Sequence, residues 1–167
     1  MDTENLRIRK PVADDGVVIH QLIQSCPPLD VNSTYLYLLQ CTHFAETCVV
    51  AELNGKVAAF LSGYIKPGNS STFFLWQVAV GESLRGKGMA RRLLDAVLER
   101  EACHDVCFLE TTITPDNQAS WALFRSFARD RQAELTDQVL FSTAELGGQH
   151  EPEVLVRIGP FQNKPFA

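Results

Sequence analysis

No stretch of this sequence reaches the ~20 consecutive apolar residues that a membrane span requires. Nor does a charged segment followed by an apolar one stand at Met1, as a secretory leader would. Cysteine is sparse and unpatterned. The five residues, Cys26, Cys41, Cys48, Cys103 and Cys107, are an odd number without C-x-x-C spacing, and none is placed with a histidine in a way that suggests a metal site or a nucleophile. They read as reduced thiols packed as small hydrophobes, and the expected location is cytoplasmic. Positive charge is in deficit: 15 Lys and Arg against 20 Asp and Glu leave a net charge of −5. That balance argues against nucleic acid as a partner. It leaves room for a cationic substrate, although a solvated acidic surface accounts for it as well. Repeats and linkers are missing too, so residues 1–167 read as a single domain.

What is present is a clear alternation of strand and helix patterns. Leu6–Arg9 alternates apolar and basic residues and predicts a strand. Asp14 and Asp15 favour a helix start, and Ile19, Leu22, Ile23 and Cys26 fall on one helical face until Pro27-Pro28 stops it. A short second helix is predicted around Tyr35–Cys41. Thr47–Leu53 and Val57–Ile65 are strand-like and flank Asn54-Gly55, the strongest short-range hairpin signal. Thr72–Val80 reads as a central strand, apolar on both faces except at Gln77. From Met89, a helix carries Ala90, Leu93, Leu94, Val97 and Leu98 inward, with Arg91, Arg92, Asp95 and Glu99 outward. Val106–Ile113 predicts a strand, Gln118–Arg129 a helix, and Leu135–Phe141 and Val154–Ile158 two more strands, with a flexible loop Gly147–Pro152 between them. The helical crossover places Thr72–Val80 and Val106–Ile113 side by side and parallel. The fold class is α/β (α+β in its mixed, mostly antiparallel sheet), with helices covering the sheet.

Arg85-Gly86-Lys87-Gly88-Met89-Ala90 joins the central strand to the following helix. A basic, glycine-rich turn at a helix N-terminus aims backbone N–H groups and the positive end of the helix dipole at one spot, an arrangement suited to phosphate oxygens. Gly86 and Gly88 allow close backbone approach. Gly81–Gly88 comes one residue short of a P-loop: position 88 is Gly where Ser or Thr must ligate Mg²⁺, and no apolar strand ending in Asp follows. A plain glycine loop is the other ordinary reading.

Arg85, Gly88 and Ala90 spell R-x-x-G-x-A, which resembles the diphosphate-binding signature of the GCN5-related N-acetyltransferases, the GNAT superfamily. The order of elements also resembles that fold, in which the two central parallel strands splay and acetyl-coenzyme A enters the gap. The resemblance implies that Arg85, Gly86, Lys87, Gly88, Met89 and Ala90 hold the diphosphate. It implies that the backbone of Gln77, Val78, Ala79 and Val80 pairs with the pantetheine amides like an added strand, and that the Val78 N–H faces the thioester oxygen to stabilise an oxyanion. Asn117-Gln118-Ala119-Ser120-Trp121-Ala122-Leu123-Phe124 resembles a second GNAT pattern, placing Asn117, Ser120 and Phe124 beside the coenzyme. Phe124 stands where that pattern commonly has the Tyr that protonates the leaving thiolate. Phenylalanine cannot donate a proton, so Tyr35 is the alternative acid, and a thiol of pKa about 8.5 leaves without strong help. Core packing is the ordinary reading of Phe124.

Longer segments narrow the match. Cys26–Ser33, Tyr35, Leu38–Phe44, Phe74–Val80 and Leu109–Asn117 resemble the L-2,4-diaminobutyrate acetyltransferases, over roughly Leu6–Pro160. The tail Phe161–Ala167 carries no signal. The resemblance implies acetyl-coenzyme A as donor, L-2,4-diaminobutyrate as acceptor, N4-acetyl-2,4-diaminobutyrate as product on the way to ectoine, no metal, and a homodimer. The pocket must hold the α-ammonium and α-carboxylate away from the thioester. Asp30 is the first candidate for an ammonium contact, with Tyr35, Trp76, His150 and Glu153 as further pocket residues; an aromatic wall also favours a cation. Asp30 or Glu153 would take the proton from the attacking amine, whose pKa of about 10.4 keeps it mostly charged. Each has a plainer reading: Asp30 as a turn residue, Trp76 as core, His150 as a solvated loop histidine. Glu110 and His43 read as structural. A small-amine or peptide acetyltransferase, and a non-catalytic acyl-coenzyme A sensor, are the rival functions.

Overall fold

Asn54 and Gly55 take φ of +51° and +82° in the computed structural model, the two-residue mirror-image turn that an Asn-Gly pair favours. They join β2 (Val49–Leu53) to β3 (Lys56–Ile65) in an antiparallel hairpin. The structure describes residues 5–163; Met1–Glu4, where no leader pattern is read, and the last four residues of the signal-free tail lie outside it. Elements follow the predicted order. They are β1 (Leu6–Arg9), α1 (Gly16–Gln24), α2 (Thr34–Thr42), β2, β3, β4 (Thr72–Val80), α3 (Met89–Leu98), β5 (Phe108–Ile113), α4 (Gln118–Asp130), β6 (Leu135–Phe141) and β7 (Glu153–Ile158). The mixed seven-stranded sheet has the order β1-β2-β3-β4-β5-β7-β6. The chain divides into two compact units, Met1–Tyr64 with Trp76–His104 and Ile65–Leu75 with Asp105–Ala167.

In the first unit β1 pairs antiparallel with β2. Ile19, Leu22, Ile23 and Cys26 of the predicted stripe pack with Tyr37, Cys41, Cys48, Val50, Phe60 and Ala79 in one apolar cluster. Three details differ from the sequence reading. A 3-10 turn, Ala13–Asp15, precedes α1, and Asp15 turns to Arg9 (2.7 and 3.0 Å) and the Val12 N–H (2.8 Å) instead of capping the helix. Thr47 falls in a 3-10 turn before β2, its hydroxyl donating to the Gly63 carbonyl at 2.7 Å. On α3, Met89 is buried while Ala90 is only partly so, one position off the predicted stripe.

In the second unit the parallel ladder between β4 and β5 runs from Thr72↔Phe108 to Leu75↔Thr111 and ends there. β5 begins two residues later than predicted, at Phe108. β7 lies between β5 and β6, antiparallel to both, so the edge strand β6 is added last in space though not in sequence. Glu110, buried at 2% side-chain exposure, meets Lys66 (2.8 Å) and Arg157 (3.0 Å), which fits its structural reading. Phe127 and Phe161 pack edge to face at 5.5 Å.

Candidate active site

The turn after β4 is built for close approach. Gly81 lies against β3, donating to the Ala58 carbonyl at 2.8 Å; a Cβ there would sit 2.8 Å from that same oxygen. A 3-10 turn, Glu82–Leu84, leads to Arg85, and Gly86 and Gly88 follow with φ of +73° and +68°, a conformation that costs a side-chain-bearing residue about 1–2 kcal/mol. Nothing lies within 4 Å of where a Cβ on either would stand, so the space before the turn is open. Gly88 is the N-cap of α3 and offers no side-chain cap, and the first turn holds no acidic residue. The opening N–H groups of a helix have no carbonyl a turn below them. Arg91 and Arg92 also sit at the positive end of the helix dipole, an arrangement that an anion at this terminus would relieve. The Arg85 side chain turns back toward β4. Its Nε donates to the Val80 carbonyl at 3.0 Å and its Nη2 reaches Cys26 Sγ at 3.8 Å, so the side chain latches the turn to the end of β4, and what position 85 offers a phosphate is its backbone.

β4 is not buried on both faces. Phe73, Leu75, Gln77 and Ala79 point inward, while Phe74, Trp76, Val78 and Val80 form a partly open face. Trp76 is 45% exposed, not core, and stands edge-on to Tyr64 at 6.2 Å. The polar residue in this apolar strand, Gln77, therefore faces inward, where it must be satisfied. Its N–H donates to Ser62 Oγ at 3.2 Å. Its side-chain amide donates to the Asp30 carbonyl at 2.7 Å and accepts from Tyr37 Oη at 3.1 Å. The main-chain N–H of Gln77 is thus engaged toward β3.

Asp30 lies in the exposed loop between α1 and α2, its carboxylate at the surface and its carbonyl tied to β4. Ser33 closes that loop by capping α2, accepting from the Leu36 N–H at 3.2 Å. One residue into the helix, Tyr35 is 70% exposed and available to a ligand.

In the second unit Asn117 caps α4, its Oδ1 accepting from the Ser120 N–H at 3.2 Å. Phe124 is buried at 2% exposure, which places it in core packing and corrects the expectation that its ring borders the coenzyme. His150 Nδ1 lies within hydrogen-bonding distance of the Glu151 carbonyl, which assigns the hydrogen to Nδ1. Its Nε2 stands 3.9 Å from Glu153 Oε1, so these two residues are neighbours. Glu153 belongs to β7 and not to the loop. A cleft of about 560 Å³, lined by Pro115, Gln118, Trp121, Arg125, Asp137 and Val154, includes none of the expected site residues.

Sequence reasoning missed the Gln77–Tyr37–Asn32 hydrogen bonds, although a single polar residue in an apolar strand was their signal. It also missed the nearby Asp116 carboxyl, which raises the Glu151 carboxyl above its ordinary value. Nothing in the intervening 34 residues announces that pairing. The described residues hold no group of three or more His, Cys, Asp or Glu able to take a metal ion, and no helix among them is long and apolar enough to cross a membrane.

The model of the acetyltransferase (GNAT) family matches residues 17–128. The L-2,4-diaminobutyric acid acetyltransferase of Chromohalobacter salexigens is 57% identical over 160 residues, covering 95% of this chain and 83% of the relative. That of Halomonas elongata is 58% identical over 158 residues, covering 94% and 82%. Among solved structures, diaminobutyrate acetyltransferase EctA from Paenibacillus lautus, in complex with its substrate L-2,4-diaminobutyric acid and coenzyme A, superposes with a TM-score of 0.90 at 38% identity, covering 98% of this chain and 99% of the other. The open, amide-lined turn before α3 and the half-exposed face of β4 thus sit in a fold shared with a coenzyme A-bound enzyme, and the chain belongs to the diaminobutyrate acetyltransferases of the GNAT family.

Proposed function

We propose that this protein transfers the acetyl group of acetyl-coenzyme A to the 4-amino group of L-2,4-diaminobutyrate, releasing coenzyme A and N4-acetyl-L-2,4-diaminobutyrate. The observation that carries the reading is the 0.90 TM-score, over 98% of this chain, to an enzyme bound to both diaminobutyric acid and coenzyme A. The donor is a substrate, and the reading needs no metal. The backbone of Arg85–Ala90 receives the diphosphate at the start of α3. The main chain of Gln77–Val80 receives the pantetheine amides, with the Val78 N–H toward the thioester oxygen, where it stabilises the tetrahedral oxyanion. Asn117 and Ser120 serve the pantetheine arm.

On the acceptor side, Asp30 takes the substrate ammonium and Tyr35 and Trp76 line the amine; His150, in the loop before β7, and Glu153, the first residue of β7, are further contacts. An alkylamine of pKa about 10.4 must lose a proton before it attacks, so Asp30 or Glu153 acts as base. The neutral amine then adds to the thioester carbonyl, the C–S bond breaks, and the leaving thiolate takes a proton from Tyr35, the available acid, which is restored by the second proton lost from the nitrogen. Residues 1–167 act as one acetyltransferase domain, working in the cytoplasm as a homodimer and supplying ectoine synthesis.

Free-thiol release from acetyl-coenzyme A, run against a panel of amines and followed by product mass and acetyl position, tests the reading. Fast release with L-2,4-diaminobutyrate and a 4-N-acetyl product is the expected result. Preference for another amine transfers the activity to that acceptor. Coenzyme binding without release from any amine leaves a sensor.

A further inference from the structure

Two buried side chains, Tyr37 and that of Gln77, whose main chain belongs to the expected coenzyme site, hold the loop that carries Asp30. Gln77 and Tyr37 are 8% and 0% exposed, and both belong to the first unit. Their hydrogen bonds have a forced direction. The Asp30 carbonyl can only accept, so the Gln77 atom facing it at 2.7 Å is the amide nitrogen. The other Gln77 atom is then the oxygen and accepts from Tyr37 Oη at 3.1 Å. The Tyr37 oxygen in turn accepts from the Asn32 N–H at 3.2 Å. Thus the main chain is gripped on both sides of Val31, at the carbonyl of Asp30 and the amide of Asn32. The grip is anchored deeply. Tyr37 packs edge-on to Phe60 at 6.3 Å, and the Gln77 N–H is held by the buried Ser62 hydroxyl. Gln77 also lies between Trp76 and Val78 on β4, the strand whose other face is open.

From this geometry we infer that Gln77 and Tyr37 are positioning residues for the acceptor: through the main chain of Asp30 and Asn32 they place the Asp30 carboxylate in register with Trp76 and Val78. The inference rests on the reading of Asp30 as the ammonium contact. A diamine substrate makes such placement consequential, because a loop free to shift lets either amine approach the thioester.

The test uses Gln77→Met, which keeps length and burial, and Tyr37→Phe, which keeps the packed ring and so preserves the fold. Each is assayed well below its melting temperature for kcat, for KM toward each substrate, and for the position of the acetyl group. A buried hydrogen-bond partner removed from a pinned loop raises KM for L-2,4-diaminobutyrate by about tenfold. In Tyr37→Phe, which lies outside the coenzyme site, KM for acetyl-coenzyme A stays within about twofold, and in both variants 2-N-acetyl product becomes detectable. In an Asp30→Ala background, Tyr37→Phe adds less than about twofold, because the group it positions is gone. Equal losses toward both substrates, a lowered melting temperature with unchanged KM, or full multiplication of effects in the Asp30→Ala background overturns the inference. If Asp30→Ala itself leaves the diaminobutyrate KM unchanged, the acceptor reading of Asp30 falls, and the inference falls with it. If Asp30→Ala raises that KM while Tyr37→Phe does not, the inference alone falls.

Discussion

Asp30 presents its carboxylate to solvent while its main chain is held, an arrangement that gives a ligand a charge at a set place without burying it beforehand. A charge-assisted hydrogen bond to an ammonium contributes about 1.5–3 kcal/mol, so Asp30→Ala should raise KM for L-2,4-diaminobutyrate by about ten- to a hundredfold. Calorimetry should show unchanged affinity for coenzyme A, since the diphosphate turn is untouched. Equal losses on both sides would remove Asp30 from the acceptor site. The segment resemblance proposes Trp76 and Tyr35 as pocket residues, and both are exposed, at 45% and 70%. Arg85 was legible as a residue and not as a side chain. The spacing R-x-x-G-x-A marks the turn, but whether a guanidinium points at a ligand or at the nearest free carbonyl depends on where β4 ends, which only the folded strand defines. Gln77 was partly legible in the same way. A polar residue in an apolar strand announces a buried partner, but its partners stand 40 and 47 positions away.

At the scale of elements, periodicity and turn chemistry carried most of the information. Helix stripes, the Asn54-Gly55 turn and the glycine turn are local codes, and they place α2, α3, α4, β1 and β6 within a residue or so of where the sequence puts them, while α1 ends at Gln24, two residues short of the predicted stripe. Strand starts at Val49 and Phe108 were read two residues early, because Thr47 and Val106 are strand-formers whose side chains serve neighbouring turns and packing. The position of β7 between β5 and β6 was not legible, since two antiparallel strands pair equally well in either order by pattern alone. The turn before α3 gives a clean separation of stability from binding. Gly88→Ala places a Cβ at φ +68°, at a cost of about 1–2 kcal/mol. The Cβ enters the open space before the helix, so acetyl-coenzyme A affinity should fall by more than the change in melting temperature accounts for. Calorimetry beside thermal unfolding checks this. Asn117→Ala removes the cap of α4 and should cost about 1 kcal/mol, a fall of about 2–4 °C for a chain of this size.

Across the molecule, the buried ionisable groups set how pH and thiol reagents act on the first unit. Burial works against the Asp15 charge, but the hydrogen bonds from Arg9 and Val12 outweigh it and hold the carboxyl below its usual range. A carboxyl lowered in the folded state contributes stability above its unfolded pKa of about 3.9, and that contribution disappears as pH falls through the lowered value. Asp15→Asn should therefore be less stable than the parent at neutral pH, with the difference closing in strong acid; denaturant melts at several pH values check it. The thiols act on the opposite side. Burial raises Cys41 to about 12, and Cys48 and Cys103 to about 11. Their neutral forms are favoured by the fold, so that contribution is complete below the unfolded thiol pKa of about 8.5, falls progressively above it and is gone once pH has risen through 11–12. At pH 8 these sulfurs are neither ionised nor reachable, since the nucleophile is the thiolate. Cys107 is only partly buried, while the other four are buried. A chromogenic disulfide added to native protein at pH 8 should thus report one fast thiol, abolished by Cys107→Ser. The buried thiols should follow slowly, Cys41, Cys48 and Cys103 at the rate at which the first unit opens. All five should react at once in denaturant. Fast reaction of Cys48, at 0% exposure, would mean that the core formed by α1, α2, β2 and β3 opens far more readily than its packing implies.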